Sequence, residues 1–221
     1  MNPILSQLLL KHSDLLSDKV REKILSFYEI VVKGNEAQNL TRLVSPEDFY
    51  SGHVLDVLEL VKTGWIKGRC MDLGSGVGVP GILAALMVPS EWVLAESEKR
   101  KAEYLKETVD TLNLGDRVIV FPGRAEEFLK TNQVDSIAVR AVGSVERIYS
   151  WVRDCSTWNN LILFKGPGWE TEWERFRQTK FRNSLQIVAV HDYEIQSHRA
   201  PQSDAMIREL INLKHVPRGT V

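Results

Sequence analysis

The sequence predicts an α/β protein: a doubly wound, mostly parallel sheet of seven strands that ends in an antiparallel hairpin and is preceded by a helical extension. Three observations carry this. Residues 1–63 show apolar spacing of helical period only; beyond Gly64 short β-rich apolar runs alternate with amphipathic helical segments. The last two β-rich runs have only a loop between them, and a helix-free connection permits antiparallel pairing, whereas a continued parallel winding needs a crossover.

From Leu5 to about Val32 apolar residues recur at helical spacing (Leu5, Leu8, Leu9, Leu15, Leu16, Val20, Ile24, Phe27, Val31), with Ser13 and Asp14 as a break between two helices and Gly34 with Asn35 as the stop. After the loop "GNEAQNLTRLVSPED" a third helix is expected from Pro46 to Val61, because Ser45 can cap it and Pro46 suits the first helical position. Strands are expected at 69–73, 91–96, 117–121, 134–139 and 159–165, then in "LQIVAVHDY" and "RELINLKHV". Helices are expected at 80–88, 97–113, 125–130, 145–153 and 169–180. The second of these sets Ala102, Leu105, Val109 and Leu112 in one stripe, as a helix lying on a sheet should. Residues 1–63 are thus read as a cap and 64–221 as the sheet domain, the two forming one integrated unit.

The 28 basic and 29 acidic side chains nearly cancel, so no overall field draws the chain onto nucleic acid or an anionic membrane; contact with nucleic acid would need a local basic face. Cys70 and Cys155 show no CxxC spacing and no neighbouring histidine cluster, which argues against a metal site and for two reduced core thiols. "ILSQLLLKHSD" has no basic leader and no run of membrane-spanning length, so a cytoplasmic, membrane-free protein is expected.

"MDLGSGVGVPG" (71–81) carries the chemistry. Glycines at 74, 76, 78 and 81, between a strand and a helix, read as a turn whose backbone approaches a ligand closely. "GVGVPG" satisfies the dinucleotide pattern, with Glu96 twenty positions after Gly76, so a nicotinamide or flavin nucleotide is one reading and a turn that binds nothing is another. The preferred ligand is S-adenosylmethionine, converted to S-adenosylhomocysteine: Asp72 gives an acid-x-G-x-G-x-G string, and a buried acid calls for a donor such as a ligand amine or an amide of the turn. Asp72, Gly74, Ser75, Gly76, Gly78 and Val79 then line the donor, and Glu96 at the tip of the second strand accepts from the two ribose hydroxyls. In "GRAEEF", Ala125 and Glu126 begin a short helix whose free amides can meet an adenine nitrogen; a plain helix start with favourable acids reads equally well.

Arg140 closes the fourth strand, from which a side chain enters the crevice. The Asn-Pro-Pro-Tyr motif of exocyclic-amine methylation is missing there, and Cys155 lies away from a strand end, where a nucleophile for base-carbon methylation would be needed. A target atom with its own lone pair remains, and guanine N7 is one. Arg140 could hold a base, a phosphate or the donor carboxylate, or form a surface salt bridge. Lys165, after the fifth strand, suits a phosphate; His53 and Asp56 share a helix face, with a packing or capping role preferred to a chemical one; Arg175, Arg177, Lys180 and Arg182 are read as a solvated face, with RNA contact as the alternative.

With these residues quoted, the chain resembles the bacterial glucose-inhibited division protein B family, the RsmG type of 16S rRNA guanine-N7 methyltransferase. The likeness lies in "NLTRLVSPEDFYSGHVLDVLEL", "MDLGSGVGVPGI", "ESEKRKAEYL", "GRAEEF" and "VRAV", in that order. It implies a Rossmann-like class I methyltransferase fold, with donor contacts from Gly74, Val79, Ala125, Glu126 and Arg140, Glu96 standing where the family has aspartate, and Arg124, Lys165 and Arg208 facing RNA or the chemistry. The expectation is a monomeric enzyme that methylates a guanine N7 in 16S rRNA, as a small-subunit particle rather than naked RNA, with Arg140 catalytic, no metal and no DNA partner. A small-molecule methyltransferase on the same fold and a non-catalytic rRNA-binding assembly factor are the rivals.

Overall fold

The computed structural model describes residues 1–195 and 205–216. Nine α-helices and seven strands follow in chain order: α1 (Pro3–Leu10), α2 (Asp18–Gln38), α3 (Pro46–Phe49), a π turn (Tyr50–Val54), α4 (Leu55–Thr63), β1 (Arg69–Leu73), α5 (Gly81–Met87), β2 (Glu91–Ala95), α6 (Lys99–Thr111), β3 (Val118–Phe121), α7 (Ala125–Leu129), β4 (Ser136–Arg140), α8 (Val145–Val152), β5 (Asn160–Lys165), α9 (Trp169–Arg177), β6 (Leu185–Ile195) and β7 (Met206–His215), counted among the described residues. From β1 onward every boundary lies within three residues of its expected place.

The helical extension departs from the sequence reading in two places. The break between the first two helices spans residues 11–17, which takes in Ser13 and Asp14 as expected, and Ser17 closes it as the cap of α2. Gly34 and Asn35 do not stop α2, which runs on to Gln38 and ends at Asn39 in the left-handed region, φ 49°. Gly34 answers a packing need instead: a Cβ there would stand 2.6 Å from Cε2 of Tyr104, so its absence lets the α2 backbone rest on the α6 tyrosine. Asn35 serves the next loop, its Oδ1 accepting from Thr41 N–H at 2.8 Å. The third helix does begin at Pro46 under a Ser45 cap, but it is wound through the π turn that carries His53.

The sheet order is β3-β2-β1-β4-β5-β7-β6, with β1 to β5 parallel and β7 antiparallel to both neighbours. Chain direction across the sheet reverses between β1 and β4, so the carboxyl ends of these two strands flank the crevice where ligands bind in such folds. Alternate strand residues bury on opposite faces: Met71 and Leu73 pack with α7, α8 and α9, while Cys70 faces α5 and α6. The helical extension shares that second core, where Leu5, Leu9, Ile24, Phe27 and Val57 pack with Ile82, Leu83, Leu105 and Trp92, so residues 1–63 have no separate core of their own. Cys70 and Cys155 are buried free thiols, and burial pushes the Cys70 thiol up to about 12. No helix among the described residues is long and apolar enough to cross a membrane.

Candidate active site

The glycine turn is held from two sides by carboxylates. Asp72 is buried, and its Oδ2 accepts from Gly81 N–H at 2.8 Å, tying the strand end to the first turn of α5. The amide of the turn is one of the two donors expected for this acid. A Cβ on Gly81 would lie 2.3 Å from Leu94 Cδ2 and 3.0 Å from Asp72 Oδ2, so a larger residue there must displace Leu94. Burial pushes the Asp72 carboxyl up to about 7, against the lowering effects of the Gly81 amide and the Arg140 charge. Glu96, just past β2, takes Gly76 N–H on Oε2 and Glu98 N–H on Oε1, both at 2.9 Å. Gly76 itself sits at φ +53° with only the Gly74 carbonyl oxygen, 3.9 Å away, near the place of a side chain, so here the missing Cβ leaves open space.

A cleft of about 430 Å³, part of it open to solvent, lies over this turn. Leu73 and Gly74 from β1, Ala95 and Ser97 from β2, Gly123 to Glu126 from the β3 end, and Val142 and Trp151 line it. Gly74, Arg124, Ala125 and Glu126 are therefore brought together as expected. Asp72, Ser75, Gly76, Gly78, Val79 and Glu96 are not among its lining residues; Asp72 and Glu96 act as struts of the turn. The Ala125 and Glu126 amides start α7, where no side chain caps the helix, and neither has a partner among the described residues. Trp151 escaped the sequence reading; its half-buried place on a helix that is otherwise clearly sided was the available signal.

A second cavity, about 560 Å³, lies beside the first, with Asp56, Arg140, Ala141, Lys165, Tyr193 and Arg208 in its wall. Arg140, Lys165 and Arg208 thus converge as the sequence reading expected. Asp56 and His53, for which packing or capping was preferred to chemistry, join the two arginines in a network of ion pairs and hydrogen bonds. Arg208 Nη1 donates to both Asp56 oxygens at 2.7 and 2.8 Å, and Tyr193 O–H donates to Oδ1 at 2.9 Å. Arg140 Nη1 stands 3.4 Å from Asp56 Oδ2, an ion pair without a hydrogen bond, and is buried with no hydrogen-bond partner. Arg140 Nη2 donates to His53 Nδ1 at 2.6 Å, so the ring proton resides on Nε2, 3.3 Å from Thr41 Oγ1. Burial, then Arg140 and Arg208, hold the His53 pKa well below its ordinary value, and the ring is neutral.

Lys165 Nζ is already engaged, by Gly143 O at 2.8 Å and Glu172 Oε2 at 2.7 Å. Arg124 is largely exposed at the mouth of the first cavity. Arg175, Arg177, Lys180 and Arg182 lie on the outer side of α9 and the turn after it, as read from the sequence.

The family described as rRNA small subunit methyltransferase G matches residues 20–200. The chain belongs to this family. Ribosomal RNA small subunit methyltransferase G of Rhodopirellula baltica is 35% identical over 165 residues, 74% of this chain and 71% of that one. The Stutzerimonas stutzeri protein of the same name is 29% identical over 186 residues, covering 83% and 86%. Among solved structures, M. capricolum TrmK in complex with S-adenosyl-homocysteine superposes with a TM-score of 0.52 at 13% identity over 72% of this chain and 67% of that one. The METTL16 methyltransferase domain gives 0.53 at 16%, over 77% and 69%; both likenesses are of fold. As a member of the small subunit methyltransferase G family, the chain is an enzyme that methylates small-subunit rRNA with S-adenosylmethionine as donor. The residues present fit that donor: Gly76 leaves room, the two Glu96 oxygens each keep acceptor capacity beyond one amide, and the Ala125 and Glu126 amides are unpaired among the described residues.

Proposed function

We propose that the enzyme methylates N7 of a guanine in 16S rRNA, that the guanine enters the second cavity while the donor occupies the first, and that Arg140 orients the base. The observation that carries this reading is the Arg140 guanidinium: Nη2 is fixed by His53, while the buried Nη1 has no hydrogen-bond partner. A guanine O6, next to N7 on the same edge of the base, is an acceptor for that hydrogen. When bound, the donor supplies an electrophilic methyl on a sulfonium and leaves as a neutral thioether.

The cavity supports a target that needs no deprotonation. Asp56 is taken up by Arg208 and Tyr193, and His53 Nδ1 by Arg140, so neither is free to act as a base toward an amine or hydroxyl. Guanine N7 presents its own lone pair, and the enzyme contributes proximity and alignment. The N7 lone pair forms the new bond, the carbon–sulfur bond breaks, and the base takes over the positive charge. Glu96, set between the lining residues Ala95 and Ser97, and the α7 amides would hold the ribose and adenine, with Gly74 on the methionine side and Gly76 and Val79 shaping the turn behind it. Arg124, exposed at the first cavity's mouth, is placed for a phosphate contact. With a net charge of −1 the monomeric chain has little general pull on naked RNA, which favours the partly assembled particle as substrate.

Tritiated methyl transfer onto small ribosomal particles from a strain lacking the enzyme, followed by mapping of the labelled base, tests this. Label on one guanine N7 is expected. Label on an exocyclic amine or a sugar overturns the N7 assignment, and turnover of a small molecule without RNA favours the rival methyltransferase.

A further inference from the structure

The two cavities share one wall. The loop from Ala141 to Ser144, between β4 and α8, contributes Val142 to the donor cavity and Ala141 to the substrate crevice. Ala141 holds φ +57°, a left-handed conformation that residues with a side chain rarely adopt, so the loop needs outside restraint. Val142 also sits against the glycine turn: a Cβ on Gly74 would lie 3.1 Å from its Cγ2. A shift of the loop therefore moves the lining of both cavities at once.

The restraint comes from Lys165 at the end of β5 and Glu172 in the first turns of α9. The Lys165 ammonium grips one side of the loop through Gly143 O at 2.8 Å and pairs with Glu172 Oε2 at 2.7 Å. The same Glu172 oxygen accepts from Val145 N–H at 3.2 Å, just past the loop's other side. The Lys165 side chain is only 10% exposed, which is little for an ammonium meant to reach an RNA phosphate.

We propose that Lys165 and Glu172 are positioning residues: together they clamp the β4–α8 loop as the common wall that sets donor and guanine at reacting distance, and Lys165 acts through that loop rather than on an RNA phosphate. The inference rests on the assignment of the two cavities made under the proposed function. It accounts for three otherwise unrelated facts: a lysine pointing inward at a site for a polyanion, a carboxylate shared between an ammonium and a helix amide, and a left-handed alanine between two cavities.

The test uses the full-length protein with Lys165→Met, Glu172→Ala and the double substitution. Binding of S-adenosylhomocysteine is measured by calorimetry below the melting range, and transfer to small ribosomal particles at several salt concentrations. Each single variant is expected to weaken S-adenosylhomocysteine about tenfold, as a loop freed before binding must be ordered on binding. Each is expected to lower kcat, and the double variant to be no worse than either single one, because one clamp is broken in all three. The slope of log affinity for the particle against log salt should stay at its wild-type value. A slope reduced by about one in Lys165→Met, with S-adenosylhomocysteine affinity intact and Glu172→Ala unaffected, would assign Lys165 to a phosphate and overturn the proposal. A lowered melting point with wild-type affinity and kcat would overturn it equally. The S-adenosylhomocysteine arm does not depend on the acceptor base, so a wrong target atom and a wrong role for Lys165 give different results.

Discussion

Replacing Asp72 by asparagine isolates the electrostatic cost of the glycine turn. The carboxyl is almost wholly buried, and its Oδ2 accepts from Gly81 N–H, a bond that an asparagine carbonyl can keep. Burial raises its pKa from 3.8 to about 7 in the folded chain. A raised acid binds its proton more tightly when folded, so its contribution to stability is fully present below about pH 4 and is lost as pH climbs through about 7. A rise of that size is worth about 4 kcal/mol in all, of which about 2 kcal/mol falls between pH 5 and 7. His53, whose pKa is lowered, gives stability that is lost as pH falls below its ordinary value, an opposite slope in the same window, but it is common to both proteins and cancels in their difference. Urea unfolding of donor-free wild type and Asp72→Asn at half-unit pH steps should show the variant gaining on the wild type by about 1.4 kcal/mol per pH unit up to about 7 and levelling off above it. Parallel stability curves from pH 5 to 8 would refute a raised Asp72 and with it the reading of the turn as held by a neutralisable buried acid.

Asp56→Ala should destabilise the donor-free protein by about 3 kcal/mol in urea unfolding, because Arg208 and Tyr193 lose their shared acceptor and Arg140 its nearby counter-charge in a half-closed crevice; a loss below about 1 kcal/mol would mean the network is well solvated. Gly81→Ala should cost about 1–3 kcal/mol by driving a methyl into Leu94 and the Asp72 carboxylate. It should also weaken S-adenosylhomocysteine in calorimetry, and unchanged affinity would separate the α5 contact from the donor site.

Most of the sheet was legible because its signals are local. The five parallel strands are short apolar runs, and the last two β-rich runs, read with only a loop between them, are the antiparallel pair β6 and β7. The end of α2 was misread for a physical reason: Gly34 carries the same letter as a helix stop, but its purpose is contact with Tyr104, far along the chain. The donor turn was legible as chemistry, since the acid and glycines are contiguous, yet the division of labour within it was not. Which glycine faces open space and which faces Leu94 depends on the packing of α5 against β2. Asp56 and His53 were seen as a helical pair but assigned to packing, because their partners Arg140, Tyr193 and Arg208 come from three different strands. Nothing in the local pattern of α4 reports a cation 152 positions away.

The charge balance of the second cavity explains how a nearly neutral chain can serve a polyanion. Arg140, Arg208 and Lys165 bring three positive charges to its wall, Asp56 and Glu172 return two negative ones, and His53 is neutral. One positive charge is left over among the described residues, in a crevice whose arginines are mostly buried, where water screens it less than at the open surface. Holding that excess in the free enzyme is unfavourable, which is why Asp56 is needed from the helical extension even though the strands alone could present the arginines. With the cavities assigned as proposed above, an incoming nucleotide, with its phosphate and the acceptor edge of guanine, relieves the excess where the methyl is delivered. Attraction is then confined to the crevice instead of being spread over the surface, so contact with RNA at large adds little and a base presented in the right shape adds most.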